Sequence, residues 1–351
     1  MPYRLSRRSW IASGSTAVFS FAVSRPSFAE TAALWSSSST ILCKTTSFRD
    51  RVGVGVVLTA MTGTPDGQYL AAAGDDHQIR IIRTSDLNTV HSLAGHRDRI
   101  RRLAFSRDGR HLASVANDGQ VFVFDSQSDY RKTHHFAGKV AVAGAAFAPN
   151  DFRLAVVDFS GRVHVIDLNT QKLLRIESGI RDLRAVAYRD DGGMLAIGGQ
   201  GGSLILLDPR DGQQIDQPSL HRGRIHSLSF HRDANVVTTI GDDGTAVVYD
   251  TERRERLKQI PVTTGKLFSI AVLNSQSVAV AGSDNRIRIL NTDDGSIVRS
   301  LDGHVGSVAS LTKVGESLFS AGFDATLRRW SIDASGTQTE RIAESDPTKD
   351  R

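Results

Sequence analysis

The chain has 351 residues, 40% hydrophobic and 23% charged, which is ordinary for a soluble globular protein. Its single cysteine, Cys43, excludes an internal disulfide and a Cys-rich metal site, and the lack of a CxxCH run excludes covalent haem. The formal charge of +5 hints at an acidic partner, but residues 1–29 hold Arg4, Arg7, Arg8 and Arg25 and no acid. Without them 39 basic residues face 38 acidic ones, and net charge then gives no support to nucleic-acid binding.

In chain order, Arg7 and Arg8 lead into a weakly apolar run from Trp10 to Val23. Ser27-Phe28-Ala29 then offers a small-x-small exit, with a mature start near Glu30. A charged start, a short apolar core and a small-residue exit are the parts of a secretory signal, and the run is too short to span a bilayer. The segment SRRSWI resembles the twin-arginine export motif. Ser13, Gly14, Ser15 and Thr16 keep the core mildly hydrophobic and Arg25 follows it, as that pathway prefers. Residues 1–29 are therefore expected to be a signal peptide, and the protein to be exported, periplasmic or extracellular in a bacterium. The rival reading is an irregular cytosolic N-terminus with a chance arginine pair. No later stretch is apolar enough for a transmembrane helix, so none is expected in the mature form.

From residue 51 the chain repeats. The copy HRDRIRRLAFSRDGRHLASVANDGQVFVFD holds three alternating runs, separated by the turn signals Arg107-Asp108-Gly109 and Asn117-Asp118-Gly119. Asp-Gly between alternating strands marks a hairpin. Seven copies of this pattern place a bulky residue at Ile82, Phe124, Ile166, Leu207, Tyr249, Leu290 and Trp330, spaced 42, 42, 41, 42, 41 and 40 residues apart. A period of about 40–45 residues with four short strands is that of a propeller blade. The expected fold is all-β, a seven-bladed β-propeller of four-stranded antiparallel blades. Its parts are an N-terminal segment at 30–50, a propeller at 51–335 and a polar tail at 336–351.

Gly95-His96, Gly303-His304 and the Asp that closes several copies make the chain resemble the WD-repeat (WD40) family, which marks a blade with Gly-His and Trp-Asp. The resemblance covers about residues 50–335 and rests on seven phased copies. It implies a hydrogen-bonded structural set in each well-formed blade. Blade 7 holds the whole set: His304, Ser320, Asp324 and Trp330. Blade 2 has His96, Ser114 and Asp118, and blade 5 has His221, Thr239 and Asp243, with Phe124 and Tyr249 in place of Trp. These trios imitate a catalytic triad, but their recurrence at repeat spacing points to structure, and no catalytic residue is assigned.

The resemblance also implies that a strand from outside the last copy closes the ring. Thr40–Phe48, with Ile41 and Cys43 facing inward, is the preferred segment, and Thr337–Ala343 is its rival. The family's interaction positions, beside the first apolar residue of each inner strand, fall on Arg99 and Arg101, on Asp182 and Arg184, on Arg224 and His226, and on Lys266 and Phe268. They imply an Arg-rich face around the channel with Phe268 exposed, suited to a protein or peptide partner of anionic character. A solvated rim, with Asp98 and Asp182 pairing the arginines, is the other reading. The expected function is a non-catalytic binding scaffold without a cofactor, a metal or a nucleic-acid partner. The alternative is a propeller-channel enzyme or a metal- or ligand-binding protein. His134 and His135 are placed in a blade-connecting loop, outside any metal site.

Overall fold

A computed structural model describes residues 43–49, 53, 55–232 and 235–332. The proposed signal peptide, Ile41, the rival closing segment Thr337–Ala343 and the polar tail lie outside these residues.

The described residues form seven four-stranded antiparallel sheets, the blades of a propeller. The innermost strands are Leu58–Gly63, Ile100–Phe105, Val142–Phe147, Ala185–Tyr188, Ile225–Phe230, Leu267–Asn274 and Val308–Val314. In blades 1 to 6 the chain then runs outward strand by strand. Blade 7 differs, because its outermost strand is Cys43–Ser47, which pairs antiparallel with Thr326–Ser331 and sets Cys43 opposite Trp330.

Alternation along a strand decides what each side chain meets. In blade 1, Ala71, Ala73, Ile79 and Ile81 pack with Ile100, Leu103 and Leu112 of blade 2. Their sequence neighbours Leu70, Ala72 and Ile82 pack the other way, with Val314, Phe319 and Leu327 of blade 7. The middle strands are thus apolar on both faces, which accounts for near-continuous runs such as YLAAAG. The outermost strands are wet on one side and alternate in exposure, as in Leu173–Glu177. One apolar cluster lies at each of the seven blade junctions, including the one between blades 7 and 1.

The hairpin between the second and third strands of each blade needs one residue with positive φ. Gly119, Gly161, Gly202 and Gly244 supply it, and His77, Asn285 and Ala325 adopt it at the same repeat position. Glycine reaches that region without a Cβ penalty, and the Asp-Gly signal marked two of these four turns, at Gly119 and Gly244.

Two expectations are corrected. Cys43 is exposed, because the outermost strand has no neighbour covering it. Phe48, just beyond that strand, is the residue buried in the junction of blades 7 and 1. His134 and His135 lie on a strand, Arg131–Ala137, the outermost of blade 2, opposite Val123 and Phe122.

Closure therefore rests on the five residues Cys43–Ser47 and on Phe48. A chain beginning at residue 49 should lose on the order of 3–6 kcal/mol against one beginning at residue 40. A handful of ladder hydrogen bonds at roughly 1 kcal/mol each and the burial of Phe48 at roughly 2 kcal/mol make up that loss. Urea unfolding followed by tryptophan fluorescence measures it, and equal midpoints for the two chains would contradict it.

Candidate functional site

The polar set of blade 7 is assembled in one place. His304 Nδ1 lies 2.8 Å from Asp324 Oδ2 and Nε2 lies 2.6 Å from Ser320 Oγ, while Trp330 Nε1–H donates to Ser320 Oγ at 2.8 Å. These contacts fix one protonation pattern: Nδ1–H donates to the carboxylate, the Ser320 hydroxyl donates to Nε2, and the imidazole is neutral. Burial pushes the His304 pKa below its ordinary value against the pull of Asp324. Burial raises that of Asp324, but hydrogen bonds from Thr326 and the contact with His304 bring it below the usual carboxylate range.

Blades 2 and 5 repeat the arrangement. His96 Nε2 is 2.8 Å from Ser114 Oγ and Nδ1 is 3.2 Å from both oxygens of Asp118. His221 lies 2.8 Å from Thr239 Oγ1 and 3.0 Å from Asp243 Oδ1. Each carboxylate also accepts the backbone N–H of the residue after the histidine: Arg97, Arg222 and Val305. The set therefore pins the loop that enters each blade. Ser114, Thr239 and Ser320 are fully buried at 0% exposure, which denies a substrate access to a serine or threonine nucleophile. Tyr249, at the Trp position of blade 5, turns away and donates to Asp216 Oδ2 of blade 4 at 2.5 Å.

Blades 1, 3 and 6, which lack the histidine, hold their turn by other means. On the third strand, Arg80 pairs with Asp76 in blade 1, and Arg288 pairs with Asp284 at 2.7 Å in blade 6. In blade 3, His164 meets Asp158 at 3.2 Å. In blade 6, Thr263 stands where the histidine would be and donates to Asp284 at 2.8 Å. These substitutes escape a sequence reading, because an isolated cation in a strand reads as solvated.

The inner-strand positions meet at the channel mouth, and their charges are unevenly matched. In blades 4 to 6 they form one chain of ion pairs. Arg184 Nε binds Asp182 at 2.7 Å, and Arg224 reaches Asp182 at 2.6 Å and Asp242 at 3.4 Å. Asp242 also takes His226 at 2.8 Å and Lys266 at 3.1 Å. Burial lowers the pKa of His226, so this imidazole is a neutral donor. Phe268 is half-buried, with its ring edge-on to His226 at 5.2 Å. The expectation of an exposed Phe268 is corrected, because its neighbour covers it.

Arg101 is placed differently. Its Nε–H donates to Asn117 Oδ1 at 2.7 Å, a neutral amide. Its guanidinium lies over the Phe159 ring at 5.7 Å, and that of Arg184 lies over the same ring at 4.6 Å. Burial, then repulsion from Arg184 and Arg99, lowers its pKa. Among the described residues neither Arg99 nor Arg101 makes an ion pair with a side-chain carboxylate. Phe159 was missed in the sequence because it reads as part of a turn. The aromatic residue in Asp158-Phe159-Ser160, where blades 1, 2 and 5 carry Asp75, Asn117 and Asp242, was the available signal.

Among the described residues no three His, Cys, Asp or Glu side chains converge to hold a metal ion. His134 and His135 bond apart from each other, to Leu168 O at 2.9 Å and to Gln120 Oε1. No helix among the described residues is long and apolar enough to cross a membrane.

Removing the Asp324 carboxylate leaves His304 Nδ1–H and the N–H groups of Val305 and Thr326 without their acceptor. Asp324→Ala is expected to cost about 1–3 kcal/mol. The change is read from thermal unfolding, and an unaltered melting temperature would contradict the assignment.

A family model described as "WD domain, G-beta repeat" matches residues 53–83, 87–125, 212–250 and 295–331. These spans hold the three inner strands of blades 1, 2, 5 and 7. The chain is similar to Minichromosome loss protein 1 of Schizosaccharomyces pombe, 25% identical over 57% of this chain and 25% of that protein. It is similar to Target of rapamycin complex subunit wat1 of the same organism, 28% identical over 54% of this chain and 63% of that protein. Periodic tryptophan protein 2 of Saccharomyces cerevisiae is 24% identical over 81% of this chain and 39% of that protein. The chain thus covers less than two thirds of the length of each of these relatives.

Proposed function

We propose that this chain, whose WD40 repeats build a seven-bladed β-propeller, is a non-catalytic scaffold that holds an acidic segment of a protein partner against the blade 2 side of its channel mouth. WD40 propellers are generally non-catalytic scaffolds that bind protein partners, and one relative is named as a subunit of a complex. The observation that carries the finer reading is the contrast at the mouth. Arg184, Arg224, His226 and Lys266 are occupied by Asp182 and Asp242, whereas Arg101 has a neutral amide and an aromatic ring. A partner carboxylate gains a charge-assisted hydrogen bond at Arg99 and Arg101 without displacing an existing pair. At Lys266 it must compete with Asp242.

A fluorescent octaglutamate peptide separates the two halves of the mouth. Arg99→Glu with Arg101→Glu should weaken its binding at least about tenfold, the loss of one or two charged hydrogen bonds at roughly 1.5–3 kcal/mol each. Lys266→Glu should weaken it about threefold or less, as expected of a charge already screened by a partner. Equal losses, with circular dichroism unchanged, would contradict the assignment.

The proposal extends to location: the scaffold acts outside the cytoplasm after twin-arginine export through residues 1–29. Arg7-Arg8, the mild apolar core and the Ser27-Phe28-Ala29 exit support it. In an export-competent bacterium the periplasmic protein should begin near Glu30, and Arg7→Lys with Arg8→Lys should hold it uncleaved in the cytoplasm. Recovery of the paired variant in the periplasm would overturn this route.

A further inference from the structure

Blade 3 has lost every member of the polar set. At the position of His304 it carries Gly138, at that of Ser320 Val156, at that of Asp324 Ser160, and at that of Trp330 Ile166. The space left by the imidazole, hydroxyl and indole is a cavity of about 620 Å³, bounded by Gly138, Val156 and Ile166. Blade 2 shows what ordinarily fills it: His96, packed against Phe122 at 4.6 Å between ring centres. In blade 3 the Phe122 position is His164, which leans to Asp158 on the second strand and leaves the slot open.

The walls of the cavity divide by chemistry. Val142, Val156 and Ile166 are buried and apolar, and Leu173 on the outermost strand adds an apolar flank that is 51% exposed. Lys139 and Arg175 also line the cavity. Among the described residues neither makes an ion pair, while the neighbouring Arg162 is taken by Glu177 at 2.9 Å. The one acid in the wall is engaged: Asp158 accepts the N–H groups of Ser160 and Arg162, the Ser160 hydroxyl and His164 Nε2. Three of these contacts fall on Oδ1 and the His164 contact on Oδ2, and Asp158 makes no ion pair with Lys139 or Arg175. An apolar slot of this size with cations at its edge has the makeup of a small-molecule site, which typically spans about 300–1,000 Å³.

We propose that the vacated slot of blade 3 binds a small apolar carboxylate, with the hydrocarbon part against Val156 and Ile166 and the carboxylate against Lys139 and Arg175. The site is separate from the channel-mouth reading and stands or falls without it.

The test uses the full chain and three probes of one chain length: octanoate, octan-1-ol and octylammonium. Isothermal titration gives affinity, and methyl resonances of Val156 and Ile166 report location. Octanoate should bind saturably at one site and shift those methyls, and octylammonium should bind at least about tenfold more weakly, because the edge is cationic. Lys139→Ser with Arg175→Ser should remove the preference for octanoate. Two variants fill the slot from opposite walls. Gly138→His restores the imidazole, where a Cβ would lie 3.3 Å from Gly119 O and φ is not positive. Ile166→Trp restores the indole. In whichever of them circular dichroism shows to be folded, octanoate affinity should fall at least about tenfold, as expected when a pocket of this class is occupied. Equal binding of octanoate and octylammonium, no saturable binding of octanoate, or full affinity in a folded filled variant would each overturn the site.

Discussion

A neutral imidazole held at both ring nitrogens is the interaction on which the loops of this propeller depend. In blade 7 the His304 ring spans from Asp324, in the turn after the second strand, to Ser320 within that strand. Two hydrogen bonds and burial set its tautomer, and the same carboxylate fixes the backbone of the entering loop through Val305 N–H. A group placed on that loop inherits its position. Arg99 and Arg101 follow the loop held by His96 and Asp118, so the proposed anion-binding half of the mouth is carried by a polar set that never touches a ligand.

Apolar packing supplies most of the stability and little of this precision. Every middle strand buries both faces against its two neighbours, and a blade is stable only beside others. Such a body tolerates the loss of polar sets one at a time. In blades 1 and 6 an arginine on the third strand pairs with the turn aspartate, and in blade 3 His164 turns on Asp158. Where the replacement is smaller than what it replaces, as in blade 3, the ring remains closed and a cavity opens in it.

The fold was legible because a sevenfold period near 42 residues and the recurring Asp-Gly turns have few other readings. The closing strand was found by its alternation, at Cys43–Ser47. The facing of Cys43 was not, because alternation states that sides differ and does not state which side is wet. The channel mouth was half legible. Repeat phasing placed Arg99, Arg101, Arg184, Arg224, His226 and Lys266 at the starts of the inner strands, but pairing depends on which acid lies beside which base across blades. Asp182 and Asp242 each serve residues of two blades, and no spacing within one repeat reveals that. The slot in blade 3 is written in the sequence as Gly138, Val156, Ser160 and Ile166, but small or apolar residues carry no sign of the space they leave.

Buried polar sets anchor blades 2, 5 and 7, and blade 3, which lacks one, should be less firmly held. Native-state hydrogen exchange, resolved by blade, tests this most directly. Backbone amides of Leu112–Ala116, Val237–Ile240 and Leu318–Ala321 should exchange only with global unfolding, whereas those of Leu154–Val157 and Val163–Ile166 should exchange through a smaller opening of lower free energy. Equal protection in blade 3 and in the three blades with the full trio would contradict it.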